Sequence, residues 1–175
     1  MHKLIILRGN SGSGKTTVAK KLQELFGRNT MLISQDVVRR DILKVKDGEN
    51  PPALPLLKEM LQYGSSHCEV VILEGIFIAD WYQSLFETAV NLYGADIYAY
   101  YFDIPFEETV RRHKTKPNCN EFGEAEMRQW WKEKDYYSRT KSGNYCKRHI
   151  FGCVQRITCS AHRKIRICGG CYEDW

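Results

Sequence analysis

Residues 9 to 16 read Gly-Asn-Ser-Gly-Ser-Gly-Lys-Thr, a complete G-x-x-x-x-G-K-T phosphate loop. The loop follows an apolar run, Leu4–Leu7, by one residue, and a helical pattern begins near Lys15. Glycines let the backbone turn tightly enough to aim several N–H groups at one anion, and the helix adds the positive end of its dipole. This context of strand, loop and helix predicts a nucleotide triphosphate site rather than an ordinary glycine-rich turn.

The loop predicts ATP and Mg²⁺ as ligands. Lys15 is expected to reach the β- and γ-phosphates, and the hydroxyl of Thr16 is expected to hold Mg²⁺. The predicted nucleotide contacts are Gly9, Asn10, Ser11, Gly12, Ser13, Gly14, Lys15, Thr16 and Thr17. The motif alone does not distinguish a kinase from a GTPase or a motor. Residues at the ends of the other strands are needed to tell these classes apart.

Length and composition limit the class of protein. A chain of 175 residues predicts a single domain with one active-site cleft. There is no run of eighteen apolar residues, and the first strand begins within three residues of the start. We therefore expect neither a membrane span nor a signal peptide, and a cytoplasmic location.

Charge is distributed unevenly along the chain. The net charge is +5, but positions 139–175 hold eight basic and two acidic residues, which leaves residues 1–138 at −1. Contacts with a nucleic acid backbone need a basic track, which the body of the chain does not show. A small-molecule substrate is therefore favoured over a nucleic acid. Oligomeric state is not indicated.

The pattern of apolar segments predicts an α/β fold. Strand-like runs lie at Leu4–Leu7, Met31–Ile33, Val70–Leu73 and Ile97–Phe102, and helical segments alternate with them. Helices are expected from Lys15 to a stop at Gly27, from Leu54 to about Gly64 after Pro51 and Pro52, over Asp80–Tyr93, from Pro105 through Val110, and over Glu124–Tyr137. Residues 117–123 lack periodicity and are predicted to form the tip of a helical flap at about 105–137.

An acidic residue follows the second predicted strand. Asp36 comes after Leu32–Gln35, and Arg39 and Arg40 follow at helical spacing. The carboxylate could orient and deprotonate an attacking hydroxyl, while an arginine could bind substrate or phosphate oxygens. The alternative is that Asp36 caps a helix and the arginines are solvated.

The third strand also ends in an acid, Glu74, before Gly75. Next to a phosphate loop, such a residue holds Mg²⁺ opposite Thr16 or contacts the substrate. A structural ion pair is the alternative role.

Basic residues cluster after the fourth strand, at Arg111, Arg112, Lys114 and Lys116. A flap that carries arginine could neutralise the charge of phosphoryl transfer when it closes. The alternative is a solvated basic face. His113 is predicted at the flap surface, and Trp130 and Trp131 are predicted to pack rather than to stack on a base.

These segments together resemble a known family. The phosphate loop, Ser34–Arg39, Leu73–Gly75, Phe102–Pro105 and the stretch from Asn120 to Trp131 make residues 1 to about 138 similar to small P-loop kinases. Among these kinases, the chain resembles the uridine kinase-like and zeta-toxin-like proteins. This group is near chloramphenicol phosphotransferase and polynucleotide 5′-hydroxyl kinase. The resemblance implies a three-layer fold with a parallel sheet of four to five strands. It also implies that Asp36 is the base, Arg39 a substrate or phosphate ligand and Arg112 the flap arginine.

The chain departs from this family in two places. Relatives often carry a second flap arginine where this chain has Lys116, and lysine lacks the planar fork. The basic, cysteine-rich stretch 139–175 is not clearly part of the fold. It can be explained as a tail read in a wrong frame, as a zinc site formed by Cys159, His162, Cys168 and Cys171, or as a fifth strand at Arg163–Cys168.

The sequence therefore predicts an ATP- and Mg²⁺-dependent kinase that phosphorylates a hydroxyl of a small molecule, for example a nucleoside. Its catalytic residues would be Lys15, Asp36, Arg39 and Arg112, its metal residues Thr16 and Glu74, and its substrate residues Asp36, Arg39, Arg40 and Glu74. The alternatives are a 5′-hydroxyl kinase acting on nucleic acid and a regulator that binds nucleotide without transferring phosphate.

Overall fold

A computed structural model describes residues 2–115, 119–133 and 135, together with the backbone of 155–159 and 165–168. Its strands are β1 (Lys3–Gly9), β2 (Thr30–Ser34), β3 (Val70–Gly75), β4 (Ile97–Phe102), β5 (Gln155–Cys159) and β6 (Ile165–Cys168). Its α-helices are α1 (Lys15–Phe26), α2 (Leu54–His67), α3 (Gln83–Tyr93), α4 (Phe106–His113) and α5 (Glu124–Trp130), and residues Val37–Ile42 form a π-helical segment.

The strands form one sheet in the order β2-β3-β1-β4-β5-β6. β1 to β5 run parallel, and β6 is antiparallel to β5. The predicted α/β class is confirmed. The predicted strand at Arg163–Cys168 corresponds to β6, but β5, which pairs with β4, was not predicted.

Both faces of the sheet are covered because its central strand is apolar on both sides. Leu4 and Ile6 of β1 pack in a cluster with residues of α2 and α3, while Ile5 and Leu7 pack with Ala19 of α1 on the other face. A third, separate cluster of Phe106, Val110 and Met127 joins α4 to α5. The flap therefore has its own small core.

Helix α5 is shorter than predicted. It ends at Trp130 rather than Tyr137, and Trp131 is extended. The side chain of Asn10 accepts a hydrogen bond from the backbone N–H of Lys132 (3.1 Å) and donates one to its carbonyl (2.8 Å). These tertiary bonds use the backbone groups that a longer helix would have paired internally.

No helix in the described part of the chain combines the length and the hydropathy needed to cross a membrane.

Candidate active site

The phosphate loop joins β1 to α1 and packs directly against the flap. Gly12 has a φ of +79°, and a Cβ at this position would lie 2.6 Å from the carbonyl oxygen of Thr109 in α4. Only glycine satisfies both the backbone conformation and this close approach. The first flap helix is thus seated on the loop that is predicted to hold phosphates.

The loop curls around the ammonium group of Lys15. Its Nζ donates to the carbonyl oxygen of Asn10 (2.9 Å) and lies 3.3 Å from Oγ of Ser13. Lys15 is buried, because the loop covers its side chain. The positive charge is therefore held within the loop rather than extended into solvent.

One cavity joins the loop to both acidic residues predicted from the sequence. It is lined by Ser11, Gly12, Gly14, Lys15, Thr16, Thr17, Asp36, Glu74, Gly75 and Ile76. β1 and β3 are adjacent parallel strands, as are β3 and β2, so their carboxyl ends meet at one edge of the sheet. This edge is where open α/β sheets bind ligands.

Glu74 is a buried carboxylate that contacts two hydroxyl groups. Both of its oxygens lie 3.2 Å from Oγ1 of Thr16, and its Oε1 accepts a hydrogen bond from Ser34. It is 2% exposed and makes no ion pair with any described residue, so the structural ion-pair alternative is not supported. A buried carboxylate that makes no ion pair within the described ranges, next to a hydroxyl oxygen, is an oxygen donor set that fits Mg²⁺.

Asp36 and Arg39 are paired across one turn of the π-helical segment. Nη2 of Arg39 lies 2.9 Å from Oδ1 of Asp36. Asp36 occupies the N-cap position of this segment, but its side chain makes no capping hydrogen bond, so the structure does not support a capping role. The Asp36 side chain is 62% exposed, whereas that of Arg39 is only 17% exposed. The carboxylate is accessible to an acceptor, and the arginine beside it is largely sheltered.

Arg40 connects the π-helical segment to the flap. Its Nε lies 3.5 Å from Asp36, and its Nη1 lies 3.2 Å from Glu121. These contacts place Arg40 at the outer side of the cleft. Neither Arg39 nor Arg40 lines the cavity.

Arg112 reaches the phosphate loop from α4. Its Nη1 donates to the carbonyl oxygen of Ser13 (3.0 Å), and its Nε donates to Glu108 (2.7 Å). The predicted flap arginine is thus adjacent to the loop, although it does not line the cavity.

The predicted surface position of His113 is wrong. Its side chain is buried, its Nε2 bonds the carbonyl oxygen of Phe122 (2.7 Å), and its ring stacks on that of Phe122. Among the predicted packing residues, Trp131 lies edge-on to Phe106 in the flap core, and Trp130 is 44% exposed.

Sequence reasoning missed a polar network around Gln35, the residue that precedes Asp36. Nε2 of Gln35 donates to the hydroxyl of Tyr82 (2.8 Å) and to Asp47 (3.0 Å), and Tyr82 donates to Asp47 (2.7 Å). Oε1 of Gln35 accepts from the backbone N–H groups of Ile76 and Phe77. Burial, followed by the bond to Asp47, raises the pKa of Tyr82 well above its ordinary range, so the hydroxyl stays protonated. The network fixes the strand end that carries Asp36.

A second missed feature is a buried ion pair behind the loop. Nη2 of Arg8 lies 2.8 Å from Asp135, and the guanidinium also donates to the carbonyl oxygen of Phe77. Asp135 in turn accepts from the N–H of Ala79. Burial lowers the pKa of Arg8 and the carboxylate of Asp135 opposes this shift. The pair links β1 to the C-terminal end of the flap, a connection that no local pattern in the sequence indicates.

The structure gives no support to the predicted zinc site. His162 and Cys171 lie outside the described residues, as does Lys116. Cys159 pairs with Ile165, whereas Cys168 pairs with Arg156, so the two cysteines lie at opposite ends of the β5–β6 ladder. Within the described ranges, no group of three or more metal-ligating side chains is found.

Comparisons with known proteins agree on the fold. Residues 4–140 match a family described as an AAA domain, AAA_33. A search of curated proteins finds no match. A chain of the Pnkp1/Rnl/Hen1 RNA repair complex is similar at 22% identity and a TM-score of 0.55, over 73% of this chain and 42% of that one. A gluconokinase from Sinorhizobium meliloti 1021 is similar at 18% identity and a TM-score of 0.51, over 73% of this chain and 72% of that one.

At these identities the structural likeness shows the fold alone, and the chain spans less than half the length of the matched RNA repair chain. The strand, phosphate loop and helix at the start of the chain and the parallel sheet have the arrangement of the P-loop kinase fold. The family match covers most of the chain, from the first strand to beyond the flap. The chain belongs to the AAA domain family AAA_33 and has the fold of a small P-loop kinase.

Proposed function

We propose that this protein is an ATP- and Mg²⁺-dependent kinase that transfers the γ-phosphate to a hydroxyl of a small molecule, with nucleosides as the first class to test. The observation that carries the proposal is the single cavity lined by the phosphate loop, Asp36 and Glu74. A loop for the triphosphate, a carboxylate for the metal and a second, exposed carboxylate for the acceptor are the groups that phosphoryl transfer needs.

In this proposal the donor is held by the loop. The backbone N–H groups and Lys15 bind the β- and γ-phosphates, and Thr16 with Glu74 holds the metal. Mg²⁺, when bound, neutralises phosphate charge. Because Glu74 is buried and Ser34 donates to it, its carboxylate is fixed before the nucleotide arrives.

The acceptor approaches from the side of the π-helical segment. Asp36 takes the proton from the attacking hydroxyl, whose oxygen forms the new bond to the γ-phosphorus while the bond to the β,γ-bridging oxygen breaks. Arg39 keeps Asp36 oriented through their ion pair. Arg112, which already contacts Ser13 of the loop, stabilises negative charge on the transferred group.

The proposal is tested by measuring ADP release from Mg²⁺ and ATP across a panel of nucleosides, antibiotics and sugars. One acceptor class is expected to stimulate release and to yield a phosphorylated product. Tight ATP binding with no stimulated release would instead favour a nucleotide-binding regulator. Phosphorylation of oligonucleotide 5′-hydroxyls, with a steep salt dependence of binding, would favour a nucleic acid kinase, which the −1 charge of residues 1–138 does not favour.

A further inference from the structure

Arg112 is held at two points. Its Nη1 is bound to the carbonyl oxygen of Ser13, in the middle of the phosphate loop, and its Nε is bound to the carboxylate of Glu108. Nη2 makes no hydrogen bond within the described part of the chain. Two fixed nitrogens set the plane of a guanidinium, so the remaining one presents its N–H groups in a defined direction.

Glu108 is the only one of these partners whose side chain restrains Arg112, since Ser13 contributes a backbone atom. Glu108 lies one turn earlier on α4, at the i,i+4 spacing that brings side chains together. It also accepts two bonds from Arg111, at 2.7 and 2.8 Å. The carboxylate is itself held by a second arginine and does not depend on Arg112 for its position.

The charge of this cluster favours a role in which Glu108 positions Arg112, rather than one in which its carboxylate competes with a phosphoryl group for Arg112. The charges of Glu108, Arg111 and Arg112 sum to +1, so the cluster keeps a net positive charge although both arginines are ion-paired with Glu108. The bonds from Arg111 and then Arg112 hold the pKa of Glu108 at about 2, so the carboxylate is ionised at neutral pH. An arginine that is already oriented loses less side-chain entropy when it binds a phosphoryl group than one that moves freely.

The helix that carries the cluster is also fixed relative to the loop. The backbone of Thr109, the residue after Glu108, touches Gly12 so closely that a Cβ could not be accommodated there. Glu108 and Arg112 therefore lie on a helix in direct contact with the phosphate site. A side chain on such a helix is held in a defined geometry more precisely than a side chain on a loop.

We propose that Glu108 is a positioning residue that orients Arg112 toward the transferring phosphoryl group. The inference rests on the proposed function for its catalytic meaning, but it can be tested without an acceptor. ADP with Mg²⁺ and aluminium fluoride mimics the charge of the transferring group, and only interactions made with that group strengthen its binding over that of ADP.

The test compares the affinity of ADP and Mg²⁺ with and without aluminium fluoride, by calorimetry, in wild type, Glu108→Gln, and Glu107→Gln. Glu107 is the matched control because it is the adjacent exposed glutamate on the same helix. Glu108→Gln is expected to weaken the aluminium fluoride complex by about three- to tenfold and to leave ADP affinity unchanged. Glu107→Gln should behave as wild type.

A double-mutant cycle with Arg112→Lys separates positioning from a general structural effect. If Glu108 acts through Arg112, Glu108→Gln adds little to the loss caused by Arg112→Lys. An unchanged aluminium fluoride complex in Glu108→Gln, an equal loss of ADP affinity, or full additivity in the double variant would overturn the inference. Absence of transfer to any acceptor would count against the proposed function only, since this measurement needs no acceptor.

Discussion

The hydroxyl of Thr16 and the carboxylate of Glu74 lie 3.2 Å apart, although Thr16 is in the first turn of α1 and Glu74 is the penultimate residue of β3. The register of the two parallel strands pairs Leu7 with Glu74 and Arg8 with Gly75, so both strands finish at the same level. The proposed metal site is thus a consequence of sheet register, which rigid backbone bonds maintain.

Replacing Glu74 should remove the benefit of Mg²⁺ to nucleotide binding. Glu74→Gln keeps the size of the side chain but removes the buried charge, so we expect Mg²⁺ to strengthen ADP binding about tenfold less than in wild type. Calorimetry with and without Mg²⁺ measures this difference. Glu69→Gln, an exposed site just before the same strand, serves as control, and an undiminished Mg²⁺ effect in Glu74→Gln would contradict the assignment.

Gly12→Ala should destabilise the protein by about 1–3 kcal/mol, because a side chain there has an unfavourable φ and meets the backbone of α4. Urea unfolding measures the loss. Gly48→Ala is the matched control, since nothing lies within 4 Å of a Cβ at that position. It should change stability by less than about 0.5 kcal/mol. Equal effects of the two substitutions would contradict both the strained backbone at Gly12 and its contact with α4.

Asp135→Ala should destabilise by about 3–5 kcal/mol, because it leaves the charge of Arg8, whose side chain is 4% exposed, without its carboxylate partner. The free energy of unfolding by urea gives the value. Asp80→Ala removes an exposed carboxylate next to Ala79, the residue whose N–H bonds Asp135, and should be close to neutral. A loss below about 1 kcal/mol for Asp135→Ala would argue against the buried pair.

The ion pairs that Glu108 makes with Arg111 and Arg112 should persist at low pH. The folded-state pKa of Glu108, about 2, lies below the ordinary value of 4.5, so its contribution to stability is complete above pH 4.5 and is lost as the pH falls through about 2. An NMR titration of the side-chain carboxyl should show it still ionised at about pH 3. In Arg112→Gln the midpoint of the Glu108 titration should lie at a higher pH than in wild type. A wild-type midpoint near the ordinary value would show that the arginines do not hold it.

The sequence predicted the sheet core well because each central strand is a short apolar run followed by a polar residue. Observed β4 coincides with the predicted Ile97–Phe102, and β1 to β3 extend the predicted runs by two or three residues. The predicted end of α5 was wrong because Asn10, more than a hundred residues earlier in the chain, bonds the backbone of Lys132. Such tertiary bonds override local periodicity.

The candidate site likewise has residues that local sequence could predict and contacts that depend on tertiary packing. Asp36 and Glu74 could be located because acids at the ends of neighbouring parallel strands must meet at one sheet edge. The Gln35, Tyr82 and Asp47 network could not be located, because it joins distant segments that share no motif. The partnership of Glu108 with Arg112 follows helical spacing, but its contact with Ser13 depends on how α4 packs on the loop.

The most direct test of the account is phosphoryl transfer by Asp36→Asn, with the acceptor identified by the panel. The substitution removes the proposed base and leaves the phosphate loop and Glu74 intact. We expect ATP affinity to stay within about twofold of wild type and transfer to fall by about a hundredfold or more. Unchanged turnover in Asp36→Asn would contradict the central claim.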